Sequence, residues 1–238
     1  MFRKYFLPIF LVLASSLSAC NGTTPIASES PAATAVIAES IDTAPMSVFP
    51  MTITDSSGRE VTIDTEPARI ISLSPSNTEI VFAIGAGSLV VGNTEYCDYP
   101  TEAVSITKVG GYSADSMSIE TIVSLKPDLV LAEGSSQAIV IEALENANIT
   151  VVAIDAKSFE DIYDNILLVG KITNNDAKAV ALVEEMKTRV SAVTEKIAGV
   201  PEEEQPTVFW EVWDEPLMTA GPNTFIGQMI QLAGGINI

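Results

Sequence analysis

Residues 68–100 read ARIISLSPSNTEIVFAIGAGSLVVGNTEYCDYP, and this stretch decides the fold. Residues 69–73 (RIISL) are largely β-branched and apolar, the composition of a buried strand. Ser74-Pro75 interrupts it. Ser76-Asn77-Thr78-Glu79 has the form of a capping box, in which the Ser76 hydroxyl accepts from the Glu79 N–H and the Glu79 carboxylate reaches back. Ile80, Val81 and Ile84 follow at helical spacing, and Gly85 or Gly87 supplies the positive-φ stop. Residues 89–91 form a second buried strand. A strand–helix–strand unit with such short connections implies parallel pairing.

On the C-terminal side, strands and helices keep alternating. Residues 107–112 (TKVGGY) read as a short strand ending in glycines, and Ser118 caps a helix over 119–125. Residues 128–132 form a strand, 137–147 a helix and 150–154 a strand, and Ser158 caps a helix to about 172. Residues 176–197 carry an apolar stripe at helical spacing (Ala179, Leu182, Val183, Met186, Val190, Val193, Ile197). At 1.5 Å per residue that helix is ~33 Å long, the width of a small domain. Two further strands follow at 207–212 and 216–220, and Asn223 caps a helix over 224–232. On the N-terminal side, residues 51–63 form a hairpin around Asp55-Ser56-Ser57-Gly58.

The start of the chain has a different character. Arg3-Lys4 precede a short apolar run, and Leu17-Ser18-Ala19-Cys20 matches a bacterial lipobox, in which the cysteine is lipidated and becomes the mature N-terminus. The plainer alternative is an ordinary signal peptide cut near Ala19. With Cys20 lipidated, Cys97 has no disulfide partner, and the acyl chains hold the protein on the outer face of a membrane. Residues 21–50 are rich in Ser, Thr, Ala and Pro, the composition of a flexible tether. The formal charge of −19 falls to −21 once Arg3 and Lys4 leave with the leader. Nucleic acid is therefore a poor partner, since phosphate binding needs a basic face. The sequence contains no histidine, which removes Ser-His catalysis, HExxH zinc sites and His-ligated haem. It also lacks a nucleophile elbow and a P-loop, and Gly85-Ala86-Gly87 follows a helix, so it is no dinucleotide fingerprint.

The same residues resemble the cobalamin/iron-siderophore class of ABC-transporter substrate-binding proteins. That class opens R-I-I/V-S-L-x-P-S/A-x-T-E, then G-x-G, L-V-G and an aromatic before D-Y-P. Here the pattern stands as Arg69-Ile70-Ile71-Ser72-Leu73-Ser74-Pro75, Asn77-Thr78-Glu79, Gly85-Ala86-Gly87, Leu89-Val90-Val91-Gly92 and Tyr96-Cys97-Asp98-Tyr99-Pro100. L-x-P-D-L-V/I follows as Leu125-Lys126-Pro127-Asp128-Leu129-Val130. The resemblance implies an α/β fold: two doubly wound lobes joined by one long helix, the second lobe incomplete. The expected organisation is a lipoprotein signal peptide over 1–19, a tether over 20–50, a first lobe over 51–175, a linking helix over 176–198 and a partial second lobe over 199–238. Family members continue further, so most of the second lobe is expected to be missing, leaving Trp210, Val212, Met229 and Ile230 short of cover.

In open α/β lobes, ligands meet the loops at the carboxyl ends of the strands. Those loops hold Ser74, Pro75, Tyr96, Asp98, Tyr99, Tyr112, Glu133 and Asp155, and the second lobe offers Glu211 and Trp213. Aromatics beside backbone amides suit a large planar or amphipathic ligand, although each ring could equally be half-buried packing. By resemblance, Tyr112 stands where corrinoid-binding members stack a ring on the ligand. Glu79 stands where the family pairs a glutamate with arginines of the permease subunits; the matching second-lobe position reads Asn223-Thr224. The implied function is an extracytoplasmic, membrane-anchored solute receptor that captures a corrinoid or ferric siderophore and delivers it to a permease, with no cofactor of its own and no catalysis. A haem receptor, or a surface lipoprotein or enzyme on the same fold, is the alternative.

Overall fold

The computed structural model describes residues 48–238. The signal peptide, Cys20 and nearly all of the 20–50 tether lie outside the described residues. Four parallel strands form the central sheet: β3 (Ile70–Ser72), β4 (Val90–Asn93), β5 (Leu129–Ala132) and β6 (Val151–Ala153), in the order β4-β3-β5-β6. The chain leaves β3 for β4 on one side and then crosses to β5 on the other. The winding direction therefore reverses at β3/β5, the place where such sheets open a crevice.

Period-2 alternation assigns each strand residue to a face. Ile70, Leu129, Leu131 and Val152 pack against α1 (Pro75–Ala83), α4 (Phe159–Ile172) and α5 (Asp176–Ile197). Ile71, Val130, Ala132, Val151 and Ala153 pack on the other face against α2 (Ile119–Ser124) and α3 (Ala138–Asn146). Both faces are covered, so β3, β5 and β6 are buried throughout, as parallel strands require. Helix α5 docks on α4 at Gly170, where a Cβ would stand 2.4 Å from that of Ala179. Among the described residues no helix is long and apolar enough to cross a membrane.

The hairpin of β1 (Met51–Thr54) and β2 (Glu60–Ile63) is bolted to β6 by one carboxylate. Asp55 Oδ1 accepts from the N–H groups of Ser57 (3.0 Å) and Arg59 (2.9 Å). Its Oδ2 accepts from Arg59 Nε (2.9 Å), Arg59 Nη2 (2.6 Å) and Ala153 N (3.0 Å). Ser56 Oγ donates to Ala153 O at 2.6 Å and accepts from Asp155 N at 2.7 Å, so the turn reaches a loop at the carboxyl edge.

Four local expectations are corrected. The cap of α1 is Ser74, not Ser76: Ser74 Oγ accepts from Asn77 N, and Pro75 occupies the first helical position. Proline has no N–H to satisfy and a φ already suited to a first turn, so the helix starts two residues earlier than the capping-box reading has it. Glu79 then lies a full turn inside the helix, exposed, with no capping role. Residues 107–112 make two isolated bridges, Asn93–Lys108 and Gly110–Met117, rather than a strand. The strand expected over 207–212 splits into β7 (Thr207–Val208) and β8 (Glu211–Asp214).

The remaining C-terminal elements are small. β8 pairs antiparallel with β9 (Leu217–Thr219), and β7 pairs parallel with β10 (Ile236–Asn237). Between them lies α6 (Phe225–Leu232), capped by Thr224 rather than Asn223 because the Thr224 hydroxyl accepts from Gly227 N at 3.1 Å. Ile230 is buried, whereas Trp210, Val212 and Met229 are exposed on this part of the surface.

Candidate functional site

The carboxyl ends of the strands gather four loops, and buried polar side chains fix them to one another. Gln137 is fully buried: its Nε2 donates to Leu73 O (2.9 Å) and Tyr112 O (3.3 Å), and its Oε1 accepts from Glu133 N (2.8 Å). One amide thus ties together the loops that follow β3 and β5 and the 110–112 segment. Lys108 does the same for the loop after β4, with Nζ donating to Asn93 Oδ1 (2.9 Å), Cys97 O (3.0 Å) and Ala103 O (3.3 Å). Cys97 is buried and free, its Sγ 3.2 Å from the hydroxyls of Thr78 and Thr94.

On this frame stand two exposed phenols. Tyr112 donates its one hydroxyl proton to Glu133 Oε2, and its oxygen lies 3.2 Å from Ser136 Oγ. The hydrogen bond to Glu133 raises its pKa, so the ring presents a neutral phenol throughout the neutral pH range. Tyr96 flanks the neighbouring Gly111, whose Cβ would sit 3.8 Å from the Tyr96 ring.

Beside Glu133 opens a cavity of about 440 Å³. Ser76, Glu133 and Asp155 supply polar groups to its lining, and Ile80, Ile162 and Met186 apolar ones. Phe225 closes it from the C-terminal part of the chain and packs on Phe159, with ring centroids 5.2 Å apart.

Of the expected site residues, the structure places Glu133 and Asp155 on the cavity, Tyr112 beside Glu133, and Tyr96 against Gly111. Pro75 is half-buried at the start of α1. Ser74 is corrected: it is fully buried and its hydroxyl is occupied by Asn77 N and Ser76 Oγ, so capping replaces ligand contact. Asp98 is exposed, and Tyr99 borders a separate groove shared with Glu79, Phe82 and Pro100. Glu211 and Trp213 lie on the β8–β9 hairpin, where Trp213 Nε1 donates to Glu215 O at 2.9 Å. Phe225, Gln137 and Asn77 are the residues the sequence reading missed. Only Phe225 has a local signal, an aromatic in the first turn of an amphipathic helix. Among the described residues no cluster of three His, Cys, Asp or Glu side chains could hold a metal ion.

A doubly wound α/β lobe with its cavity at the winding switch and a long helix behind it is the architecture of a solute-binding protein. The chain belongs to the periplasmic binding protein family, which matches residues 70–238. It is 42% identical over 190 residues to the uncharacterized ABC transporter substrate-binding lipoprotein YvrC of Bacillus subtilis, covering 78% of this chain and 60% of that one. It is 35% identical over 191 residues to a cobalamin-binding protein of Halobacterium salinarum, covering 80% of this chain and 51% of that one. Among solved structures, the vitamin B12-binding protein BtuF of Vibrio cholerae superposes with a TM-score of 0.63 at 28% identity, covering 72% of this chain and 66% of that one. The chain thus spans between half and two thirds of the length of these relatives.

Proposed function

We propose that the protein is the extracytoplasmic solute-binding component of an ABC importer and that its ligand is a corrinoid. The observation that carries this reading is exposed Tyr112, hydrogen-bonded to Glu133 of a cavity that Asp155 also lines, with exposed Tyr96 against the adjoining Gly111. Rings with free faces at the edge of a pocket suit the flat, amphipathic surface of a corrin. Relatives named for cobalamin binding support the same choice over a ferric siderophore or haem. Pro75, Asp98, Tyr99, Glu211 and Trp213 complete the proposed ligand-facing set, and the role is binding rather than catalysis.

Tyr112→Ala tests the reading directly. Removing a stacked ring costs roughly 1–3 kcal/mol, about 5- to 150-fold in affinity for cyanocobalamin. Tyr112→Phe keeps the ring and is expected to bind within a few-fold of wild type. Calorimetric titration gives both numbers; equal affinity for the alanine variant and wild type would place the ligand elsewhere.

We also propose that exposed Glu79, at the mouth of the cavity, meets basic side chains of the permease. Glu79→Arg is then expected to leave ligand affinity intact and to impair stimulation of transporter ATPase activity, since it reverses a charge at the contact. Undiminished stimulation would remove Glu79 from the interface. The proposed anchor is Cys20: palmitate labelling is expected in wild type and lost in Cys20→Ser, and label retained by the variant would contradict a lipid anchor at that residue.

A further inference from the structure

The loops at the carboxyl edge of the sheet carry an unbalanced charge. Glu79, Glu133 and Asp155 line the cavity of about 440 Å³, and no lysine or arginine is among its lining residues. A second pocket of about 390 Å³ adjoins it, sharing Asp155 and Asn165, and adds Asp161 and Asp164. Asp55 borders that pocket too, but its charge is spent on Arg59. The cations of these loops are Lys108 and Lys157. Lys108 is held by Asn93 Oδ1, Cys97 O and Ala103 O in the loop after β4, and Lys157 lies in the second pocket beside Asp161. Carboxylates remain in excess.

That excess acts at a distance and needs no direct contact, and the apolar wall of Ile80, Ile162, Met186 and Phe225 lowers the dielectric around it. Its reach is visible at Tyr112. The Glu133 hydrogen bond first, and then the charges of Glu133 and Asp155, raise the pKa of that phenol. Both carboxylates thus oppose a negative charge at Tyr112, and they favour a positive one at the same place. A macrocycle stacked on Tyr112 holds its metal within roughly a Debye length of them, ~8 Å in physiological salt. There an anionic iron chelate is repelled, a neutral corrinoid feels little and a cationic corrinoid is attracted.

We propose that the site selects corrinoids by charge, taking a cationic, water-ligated cobalamin in preference to the neutral cyano form, with Glu133 and Asp155 as the specificity-determining residues. This rests on the corrinoid reading above and adds the charge state of the ligand. Water on cobalt leaves a cobalamin with a net positive charge, and cyanide at the same position cancels it. The two forms share the corrin, its amide arms and its base, so a difference between them reports charge. The side chains that most readily displace the water are not on offer: the sequence contains no histidine, and Cys97, the free cysteine among the described residues, is buried.

Calorimetric titration with aquacobalamin and with cyanocobalamin, in mildly acidic, low-salt buffer free of coordinating anions, tests the assignment. Aquacobalamin is expected to bind wild type about tenfold more tightly, the effect of one ligand charge in the field of the carboxylates. In alkaline buffer the metal-bound water ionises to hydroxide and the complex becomes neutral, so the two affinities are expected to agree within about twofold. Asp155→Asn is expected to narrow the ratio of the two affinities to about threefold, and contacts common to both ligands cancel in that ratio. The visible spectrum of bound aquacobalamin is expected to match that of the free form, because water stays on cobalt. Equal affinities in mildly acidic buffer, a preference that survives ionisation of the water, a ratio unchanged in Asp155→Asn, or a spectral shift to a protein-ligated form would each overturn the inference and leave the corrinoid reading standing. Failure of wild type to bind either cobalamin would instead overturn the corrinoid reading, and this assignment with it.

Discussion

Asp55→Ala is expected to lower the stability of the protein by about 3–5 kcal/mol, the cost of breaking a buried charge pair from one side. The Asp55 side chain is fully buried, while its partner Arg59 retains 29% exposure. Its two oxygens collect three backbone N–H groups and two guanidinium N–H groups. Alanine leaves the buried Ala153 N–H without a partner and frees the turn that bolts the β1–β2 hairpin to β6. Arg59 keeps Glu145, at 2.5 Å, and Val151 O, at 3.1 Å, so its charge retains partners when Asp55 is removed. The loss also reaches the site, because Ser56 in the same turn holds Asp155 N. Urea unfolding gives the stability. A change below about 1 kcal/mol would show that the hairpin is held by its apolar contacts and not by this carboxylate.

Gly110→Ala carries the second large effect. Gly110 has a φ of +113°, and a Cβ there would lie 2.1 Å from Ser116 O and 2.9 Å from Met117 Cα, both backbone atoms that cannot swing aside. The strain and the displacement are expected to cost about 3 kcal/mol of stability. They also spoil binding, since the Gly110 carbonyl accepts from Glu95 N at 2.9 Å and the next residues carry Gly111 and Tyr112. Gly111→Ala is the internal control: its Cβ would meet the Ser116 Oγ at 2.6 Å, a side-chain atom that can rotate away. The expected order is severe loss of both stability and cyanocobalamin affinity for Gly110→Ala, and a mild effect for Gly111→Ala. Similar behaviour of the two variants would mean that the loop tolerates repositioning and does not set the phenol pair.

Much of this arrangement was legible before any coordinates. Helix α5 follows its apolar stripe from Asp176 to Ile197, because 22 residues give a 3.6-residue period room to declare itself. Ser158 caps α4 as read, with Asp161 N on its hydroxyl. The cap of α1 was misread because two serines stand on either side of Pro75. The proline's suitability for the first helical position, not the downstream glutamate, decides between them. β10 carries two residues and pairs with a strand some thirty positions earlier, so no local pattern announces it. The strand-end rule reached Glu133 and Asp155, since a loop after a buried strand is visible in sequence, whereas Tyr112 follows an isolated bridge and not a strand. It could not reach Gln137 or Asn77. Gln137 matters because Leu73 O, Tyr112 O and Glu133 N converge on it, and Asn77 because, among the described residues, its buried amide has no partner. Both are facts of tertiary neighbourhood that a one-dimensional pattern does not carry.

The claim at the centre is that these loops receive a corrinoid. Parallel calorimetric titrations of the wild-type protein with cyanocobalamin, haemin and a ferric hydroxamate siderophore test it most directly. The account predicts saturable, one-to-one binding of cyanocobalamin and no saturable binding of the other two. Saturable binding of haemin or the siderophore, with no heat from cyanocobalamin, would contradict it.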